Sequence, residues 1–136
     1  MSESGVGMQR RILAFAAVAE AATGVAAMIA PALVVTLLLE VEVSGVGAVL
    51  GRCFGVALLA LGVACWQGGE VAGAGSPAFR AMLVYNVLIA LYLAYLGTVG
   101  GMGGLLLWPA VVLHAVVALL LLWTLRSGQR DAGAGT

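Results

Sequence analysis

Hydrophobic residues fall into four long runs along this chain, and charged or glycine-rich segments separate them. A helix needs about 20 predominantly apolar residues to cross a bilayer core about 30 Å thick. Four runs meet that length, at about 11–30, 46–66, 79–96 and 105–125. The pattern therefore predicts an all-α fold, an integral membrane four-helix bundle that forms one domain over residues 1–136.

The first run also has features of a cleaved signal peptide. In QRRILAFAAVAEA a basic start precedes an apolar stretch with small residues at Ala19 and Ala21. The apolar run continues past Gly24 to Ile29, which is long enough to span a bilayer. We therefore predict a retained first span, with a cleaved signal as the alternative.

A shorter apolar segment, PALVVTLLLEVEVSG, lies between the first and second runs. Residues 31–39 are too few to span a membrane, and Glu40 and Glu42 follow them. We predict a short interfacial helix here. A continuation of the first helix beyond a kink at Pro31 is the alternative.

The polar connections and the chain ends have the composition of loops. QGGEVAGAGSP and GTVGGMGG are rich in Gly, Ser or Pro and are predicted loops. Residues 1–8 and 127–136 are predicted to be flexible tails.

Composition supports a membrane location. Hydrophobic residues make up 63% of the chain and charged residues 9%, with a mean hydropathy of +1.15. Soluble domains are about 45–50% apolar and about 25% charged. The formal net charge is zero and no basic tract is interleaved with aromatic residues, so a nucleic-acid partner is not predicted.

The arginines predict the orientation of the spans. Four spans place both termini and the loop around Glu70 on one side, and the opposite side carries Glu40 and Glu42 but no basic residue. Basic residues are enriched in cytoplasmic segments. We therefore predict a bacterial inner-membrane protein with both termini in the cytoplasm, on the side of the five arginines Arg10, Arg11, Arg80, Arg126 and Arg130.

Glycines in the second run favour close helix packing. Gly47, Gly51 and Gly55 are four residues apart, and Gly62 follows seven residues later. Such a glycine zipper lets a second backbone approach closely. The first helix offers a matching face of small residues that includes Gly24. We expect these two helices to be in tight contact; an interface between subunits is the alternative.

Each predicted span contributes a strongly polar residue to the middle of the bilayer: Glu20, Arg52, Asn86 and His114. At about 1.5 Å per residue, Glu20 lies roughly 14 Å from the inner face and Arg52 about 10 Å from the outer face. Their heights then differ by only about 5 Å in a core of about 30 Å. Because an unpaired charge there costs at least about 2.5 kcal/mol, we predict a Glu20–Arg52 ion pair, either structural or part of a binding site.

The other polar residues have structural interpretations when they are taken singly. His114 alone is typical of a satisfied core histidine, and Asn86 of a hydrogen bond between helices. Tyr85 and Tyr92 share one side of the third span. As a set, however, ionisable groups within a membrane indicate a functional site. The candidate intramembrane site therefore comprises Glu20, Arg52, Asn86, His114, Tyr85 and Tyr92.

Catalytic and metal-binding motifs are absent from the sequence. It contains no HExxH, GxSxG, Walker or CxxC pattern, so no catalytic residue or metal ligand is predicted and an enzyme is not favoured. No cofactor is predicted either. The single histidine cannot form a bis-histidine haem site within one protomer, although a dimer would supply two.

Two sets of motifs resemble known families. The order of APALVVTLLL, LGRCFGVALLALGVACW, YNVLIALYLAYLG and LLWPAVVLHAVVALLLLW resembles that of DoxX-like and related domain-of-unknown-function membrane bundles, over about residues 10–126. The resemblance implies a four-helix membrane bundle. Some members of these families are subunits of quinone-linked oxidoreductases, but no redox residue carries over to this chain.

The segment AVAEAATG resembles the first helix of small multidrug-resistance exporters. In that family a glutamate midway along the helix binds protons and cationic drugs in exchange. Only Glu20 carries over. The chain departs from the pattern because Arg52 would neutralise Glu20 and the third span lacks the family's aromatic cage.

These observations favour a non-enzymatic inner-membrane protein. We expect an accessory or assembly subunit of a membrane complex, or a small homo-oligomer, with the bilayer and other membrane subunits or further copies as partners. The alternative is a proton- or ion-coupled transporter in which Glu20 titrates and Arg52, Asn86 and His114 line its path. A third possibility is a redox-enzyme subunit that binds quinone or haem near His114 and Tyr92.

Overall fold

The computed structural model describes residues 3–66 and 76–133, with side chains described over 7–66 and 76–127. The described part is helical, without a strand, which confirms the predicted all-α four-helix bundle with a short additional helix. In chain order its helices are α1 (Glu3–Ile29), α2 (Pro31–Leu39), α3 (Val46–Trp66), α4 (Pro77–Thr98) and α5 (Leu107–Gly133).

Four of these helices have the length and apolarity of membrane spans. The segments are Gly7–Ile29, Val46–Trp66, Pro77–Thr98 and Leu107–Ser127. Large apolar side chains are exposed along all four. A helix that is hydrophobic on its exposed side as well as in the core is typical of a membrane environment. By the length and composition of its helices, the chain is a multi-pass membrane protein.

Helix α1 starts earlier and α5 ends later than the apolar runs. α1 begins at Glu3 and α5 continues to Gly133, so most of both predicted tails is helical; residues 1–2 and 134–136 lie outside the described residues. The apolar run marks only the part suited to hydrocarbon, whereas backbone hydrogen bonding continues into the polar flanks. Most of the predicted loop QGGEVAGAGSP, residues 67–75, also lies outside the described part.

Helix α2 is separate from α1. Ala30 has φ −133° and ψ 63°, which is not helical, and Pro31 starts the new helix. Proline suits a first helical position because its missing N–H would have no partner there. Within α2, the carbonyl of Leu37 accepts a hydrogen bond from the backbone N–H of Leu106 at 2.8 Å. Leu106 lies just before α5. The α4–α5 connection is therefore tied to α2.

Helices α1 and α3 pack backbone against backbone at their glycines. A Cβ atom built on Gly24 would lie 2.6 Å from the amide nitrogen of Leu59 and 2.7 Å from the carbonyl oxygen of Gly55. One built on Gly62 would lie 2.7 Å from the carbonyl oxygen of Ala17. Any side chain at these positions would push the two helices apart. The small faces of α1 and α3 therefore meet within the chain.

The remaining two glycines of the predicted zipper, Gly51 and Gly47, differ in the residues that they contact. A Cβ on Gly51 would lie 2.8 Å from the Cβ of Pro31, so Gly51 packs at the start of α2. A Cβ on Gly47 would meet only Val43, just before α3 in the chain. The contact between α1 and α3 thus involves Gly55 and Gly62 but not Gly47.

The apolar core lies toward one end of the bundle. We call this the terminal end, because α1 and α4 begin there and α3 and α5 end there; the opposite end, which carries α2, is the α2 end. At the terminal end the amide nitrogen of Gln9 donates to the carbonyl of Thr124 at 3.2 Å. The core cluster comprises Ile12, Leu13, Ala16, Ala17, Cys65, Phe79, Met82, Val117 and Leu121.

Candidate functional site

Polar side chains from three helices meet in the middle of the bundle. The Nδ1 atom of His114 on α5 lies 3.7 Å from Oε1 of Glu20 on α1 and 2.9 Å from Oδ1 of Asn86 on α4. Glu20 is 4% exposed and Asn86 is 1% exposed. The structure thus joins three of the candidate residues in one buried arrangement.

Tyr85 completes this arrangement. Its ring centroid lies 5.7 Å from that of His114, with the two planes at 81°. Such edge-to-face contacts are favourable because the positive edge of one ring meets the negative face of the other. The Tyr85 phenol also lies beside the Glu20 carboxyl group. We call Glu20, Tyr85, Asn86 and His114 the polar cluster.

The hydrogen bonds of Asn86 identify the protonated nitrogen of His114. The Asn86 amide nitrogen donates to the carbonyl of Met82, one turn earlier, at 2.8 Å. The amide oxygen is therefore the atom that faces His114, and it can only accept a hydrogen bond. Consequently Nδ1 of His114 carries the proton, and Nε2 is the ring nitrogen that is free to gain or lose one.

Glu20 and His114 form a coupled acid–base pair. A carboxylate beside a neutral imidazole carries one negative charge, and one added proton, either on the carboxyl group or on Nε2 of the imidazole, leaves the pair without net charge. Two groups this close gain and lose protons as a pair rather than independently. The arrangement can therefore bind and release a proton inside the bundle.

The core cluster separates the polar cluster from the terminal end. On α1 and α4, core residues such as Leu13 and Met82 precede the polar residues, and on α5 Leu121 follows His114. Leu13 is 1% exposed, and Phe79, Met82 and Leu121 are 0% exposed. Beyond this apolar layer lies the Gln9–Thr124 contact. The polar cluster is thus closed off on the terminal side.

The predicted ion pair between Glu20 and Arg52 is wrong. Glu20 pairs with His114, and Arg52 lies exposed on α3 without a salt bridge to any described residue. The contacts between α1 and α3 explain the difference. Gly62 packs against Ala17 and Ala21, whereas Gly51, next to Arg52, packs against Pro31.

This register places Arg52 level with the end of α1, about nine residues from Glu20. At about 1.5 Å per residue the separation along the helices is roughly 13 Å, instead of the 5 Å expected from aligned span ends. The reason is that α3 begins beyond the end of α1 and runs beside α2. The two helices are in contact, but their ends are not level.

Tyr92 also lies outside the polar cluster. It is 58% exposed on α4. Tyr92 follows Tyr85 by seven residues, so the two side chains lie on the same face of α4 but about 10 Å apart along the helix. There α1 supplies no polar group to meet it.

Gln9 and Thr124 are two buried polar residues that the sequence analysis missed. Each of the two residues is 3% exposed. Among the described residues, Oε1 of Gln9 has no hydrogen-bond partner. A signal was available in the spacing, because Gln9, Leu13, Ala16 and Glu20 follow the i, i+4, i+7, i+11 pattern of one helix face. Gln9 lies two residues before the first apolar run, so hydrophobicity alone did not single it out.

The described residues contain no group of three or more His, Cys, Asp or Glu side chains placed to hold a metal ion. No family model, curated protein or solved structure matches this chain.

Proposed function

We propose that this protein is a proton-coupled small-molecule transporter in which Glu20 and His114 form the proton-binding pair. The observation that carries the proposal is the 3.7 Å contact between these two side chains in the interior of a four-span bundle. Ionisable residues within a membrane are costly and mark ion or proton pathways in many membrane proteins.

The surroundings of the pair favour proton binding over a purely structural role. The distance of 3.7 Å exceeds that of a charge-assisted hydrogen bond, which is about 2.7–2.9 Å. The shorter contact of His114 is instead with the neutral Asn86. A structural ion pair would be expected to have the tighter geometry. Here Asn86 orients the imidazole, and the carboxyl group remains able to exchange its proton.

The resemblance of AVAEAATG to exporter helices points to the same glutamate. Arg52, which would have neutralised Glu20, lies elsewhere and exposed. Two of the glycines on α3 that suggested an interface between subunits, Gly55 and Gly62, pack on α1 within the chain, and Gly51 packs against Pro31. These three positions therefore do not support an interface between subunits.

The proposed location is a bacterial inner membrane with the terminal end in the cytoplasm. Arg10, Arg11, Arg80 and Arg126 all lie at the terminal end, and all four are exposed. Glu40 and Glu42 lie at the α2 end. This distribution is the one that the positive-inside rule associates with cytoplasmic termini. In that orientation the core cluster closes the proton-binding pair from the cytoplasm.

Infrared difference spectra recorded while the pH is changed test proton binding without knowledge of the solute. The reconstituted protein should show a protonated-carboxyl band that Glu20→Gln removes. Glu42→Gln is the matched control because it makes the same chemical change at an exposed position. Because the chain has six acidic residues, a band of the same intensity and the same pH dependence in Glu20→Gln as in the unmodified protein would contradict the proposal.

Transport is tested separately, by currents from proteoliposomes on a solid-supported membrane. A panel of small solutes is applied with and without a proton gradient. The proposal expects at least one solute to evoke a current that depends on the gradient and disappears in Glu20→Gln but not in Glu42→Gln. If Glu20 binds a proton yet no solute evokes such a current, the coupling to transport is wrong.

A further inference from the structure

A groove of about 590 Å³ runs along the outside of the bundle between α1 and α3. It exists because small residues form the contact between these helices, so their surface is concave there. On α3 it is lined by Gly62, Val63 and Trp66. The groove is apolar along its length and ends near the indole of Trp66, at the terminal end.

On α1 two rows of residues line the groove. Ala17 and Ala21 form one row, and Val18, Ala22 and Val25 form the other. Residues at i, i+7 and i+11 lie on one face of a helix. By that spacing Arg10 continues the first row toward the start of α1, and Arg11 continues the second. Each row therefore leads from an apolar groove to an arginine.

The dimensions fit one leaflet of a bilayer. Arg11 to Val25 is fourteen residues, or about 21 Å along the helix. The groove between Val18 and Val25 covers about 10 Å of this length, less than half of a hydrocarbon core of about 30 Å. Trp66 lies one turn beyond Gly62 toward the arginines, the level at which tryptophan prefers the membrane interface.

We propose that this groove binds one anionic phospholipid. Its phosphate lies between Arg10 and Arg11, and an acyl chain lies along the two rows of α1 against Gly62 and Val63. Both arginines are exposed, and neither forms a salt bridge with a described residue. The positive charge of the two arginines at the terminal end and the apolar groove that extends from them together favour a lipid over a soluble anion. The inference does not depend on the proton-binding pair.

Native mass spectrometry after reconstitution with equal amounts of phosphatidylglycerol and phosphatidylethanolamine tests this site. We expect one retained phosphatidylglycerol. Because a basic residue near an anionic surface contributes about 1 kcal/mol, Arg10→Gln and Arg11→Gln should each lower its retention about fivefold. Ala22→Phe fills the groove and should lower retention to a similar degree while both arginines remain.

Matched variants separate this site from general attraction. Arg80→Gln with Arg126→Gln removes two exposed charges at the same end but on α4 and α5, and Ala57→Phe adds the same ring at an exposed position of α3 outside the groove. Both should retain the lipid, with unfolding temperatures confirming that all variants are folded.

Three results would overturn the proposal. If Arg80→Gln with Arg126→Gln loses the lipid equally, the arginines act only as a diffuse basic surface. If Ala22→Phe keeps the lipid, the groove is not its site. If Ala22→Phe instead changes the oligomeric mass, a second copy of the chain occupies the groove.

Discussion

The amide oxygen of Asn86 lies 2.9 Å from Nδ1 of His114, and the other end of the same amide is held by the carbonyl of Met82. Asn86 therefore cannot rotate to present its nitrogen without losing a hydrogen bond. This contact fixes the tautomer and the direction of the imidazole, and thereby leaves Nε2 as the exchangeable nitrogen. The position of the proton on His114 follows from a neighbour that does not itself titrate.

Replacement of Asn86 by Leu should release the imidazole. We expect the stability to fall by about 0.6 kcal/mol, the average for hydrogen bonds between helices in membranes, and by about 1.7 kcal/mol at most. Nitrogen-15 NMR of labelled histidine should show that protonation at Nδ1 is no longer preferred. Thr98→Val is the control, because the Thr98 hydroxyl bonds only to carbonyls of its own helix. An unchanged tautomer in Asn86→Leu would contradict this role.

A double-mutant cycle should show that Glu20 and His114 are coupled. Glu20→Gln and His114→Gln each leave one member of a buried pair without its partner, so the double variant should be less destabilised than the sum of the singles. We expect a coupling energy of about 0.5–3 kcal/mol, typical of residues in contact. Reversible unfolding in mixed micelles gives the four free energies.

Arg52→Gln provides the comparison for that cycle. Arg52 is exposed and about nine residues along the bundle from Glu20, so its effect should add to that of Glu20→Gln within about 0.3–0.5 kcal/mol. A coupling between Glu20 and Arg52 as large as that between Glu20 and His114 would show that the register of α1 and α3 is different in the membrane.

The sequence predicted the fold well because the physical signal for a membrane span is strong and local. Length and apolarity alone located four helices, and the separate α2 was expected from the proline and the two glutamates that bound it. It also singled out Glu20, Asn86 and His114, since a polar residue inside an apolar run is conspicuous. None of these inferences requires knowledge of how the helices are arranged.

The pairing of those residues could not be predicted in the same way. It depends on the offset between α1 and α3, which Gly24, Gly55 and Gly62 determine through close contacts. Aligning the ends of the spans gave Arg52 as the partner of Glu20, and an offset of a few residues was enough to make this wrong. The predicted pair joined the first and second spans, whereas His114 reaches Glu20 from the last helix.

The close contact between α1 and α3 should tolerate no side chain at Gly24. In Gly24→Ala the new Cβ would lie 2.6 Å from a backbone nitrogen, so the helices must separate. Overpacking of this kind costs about 1–3 kcal/mol. Gly7→Ala, on the same helix with nothing within 4 Å of its Cβ, should be neutral or stabilising by up to about 1 kcal/mol. Equal effects of the two changes on unfolding would contradict the packing.

The apolar layer between the polar cluster and the Gln9–Thr124 contact should limit proton movement toward the terminal end. Leu13→Ser places a hydroxyl in this layer and allows water to enter, so the proton leak of proteoliposomes, followed with an internal pH-sensitive dye, should increase. The leak should disappear when Glu20→Gln is added, because protons then lack their binding pair. Leu119→Ser is the control, since Leu119 is 64% exposed on α5. A leak that is unchanged by Glu20→Gln would show that the serine merely disrupts the bundle and that the proton path does not pass through Glu20.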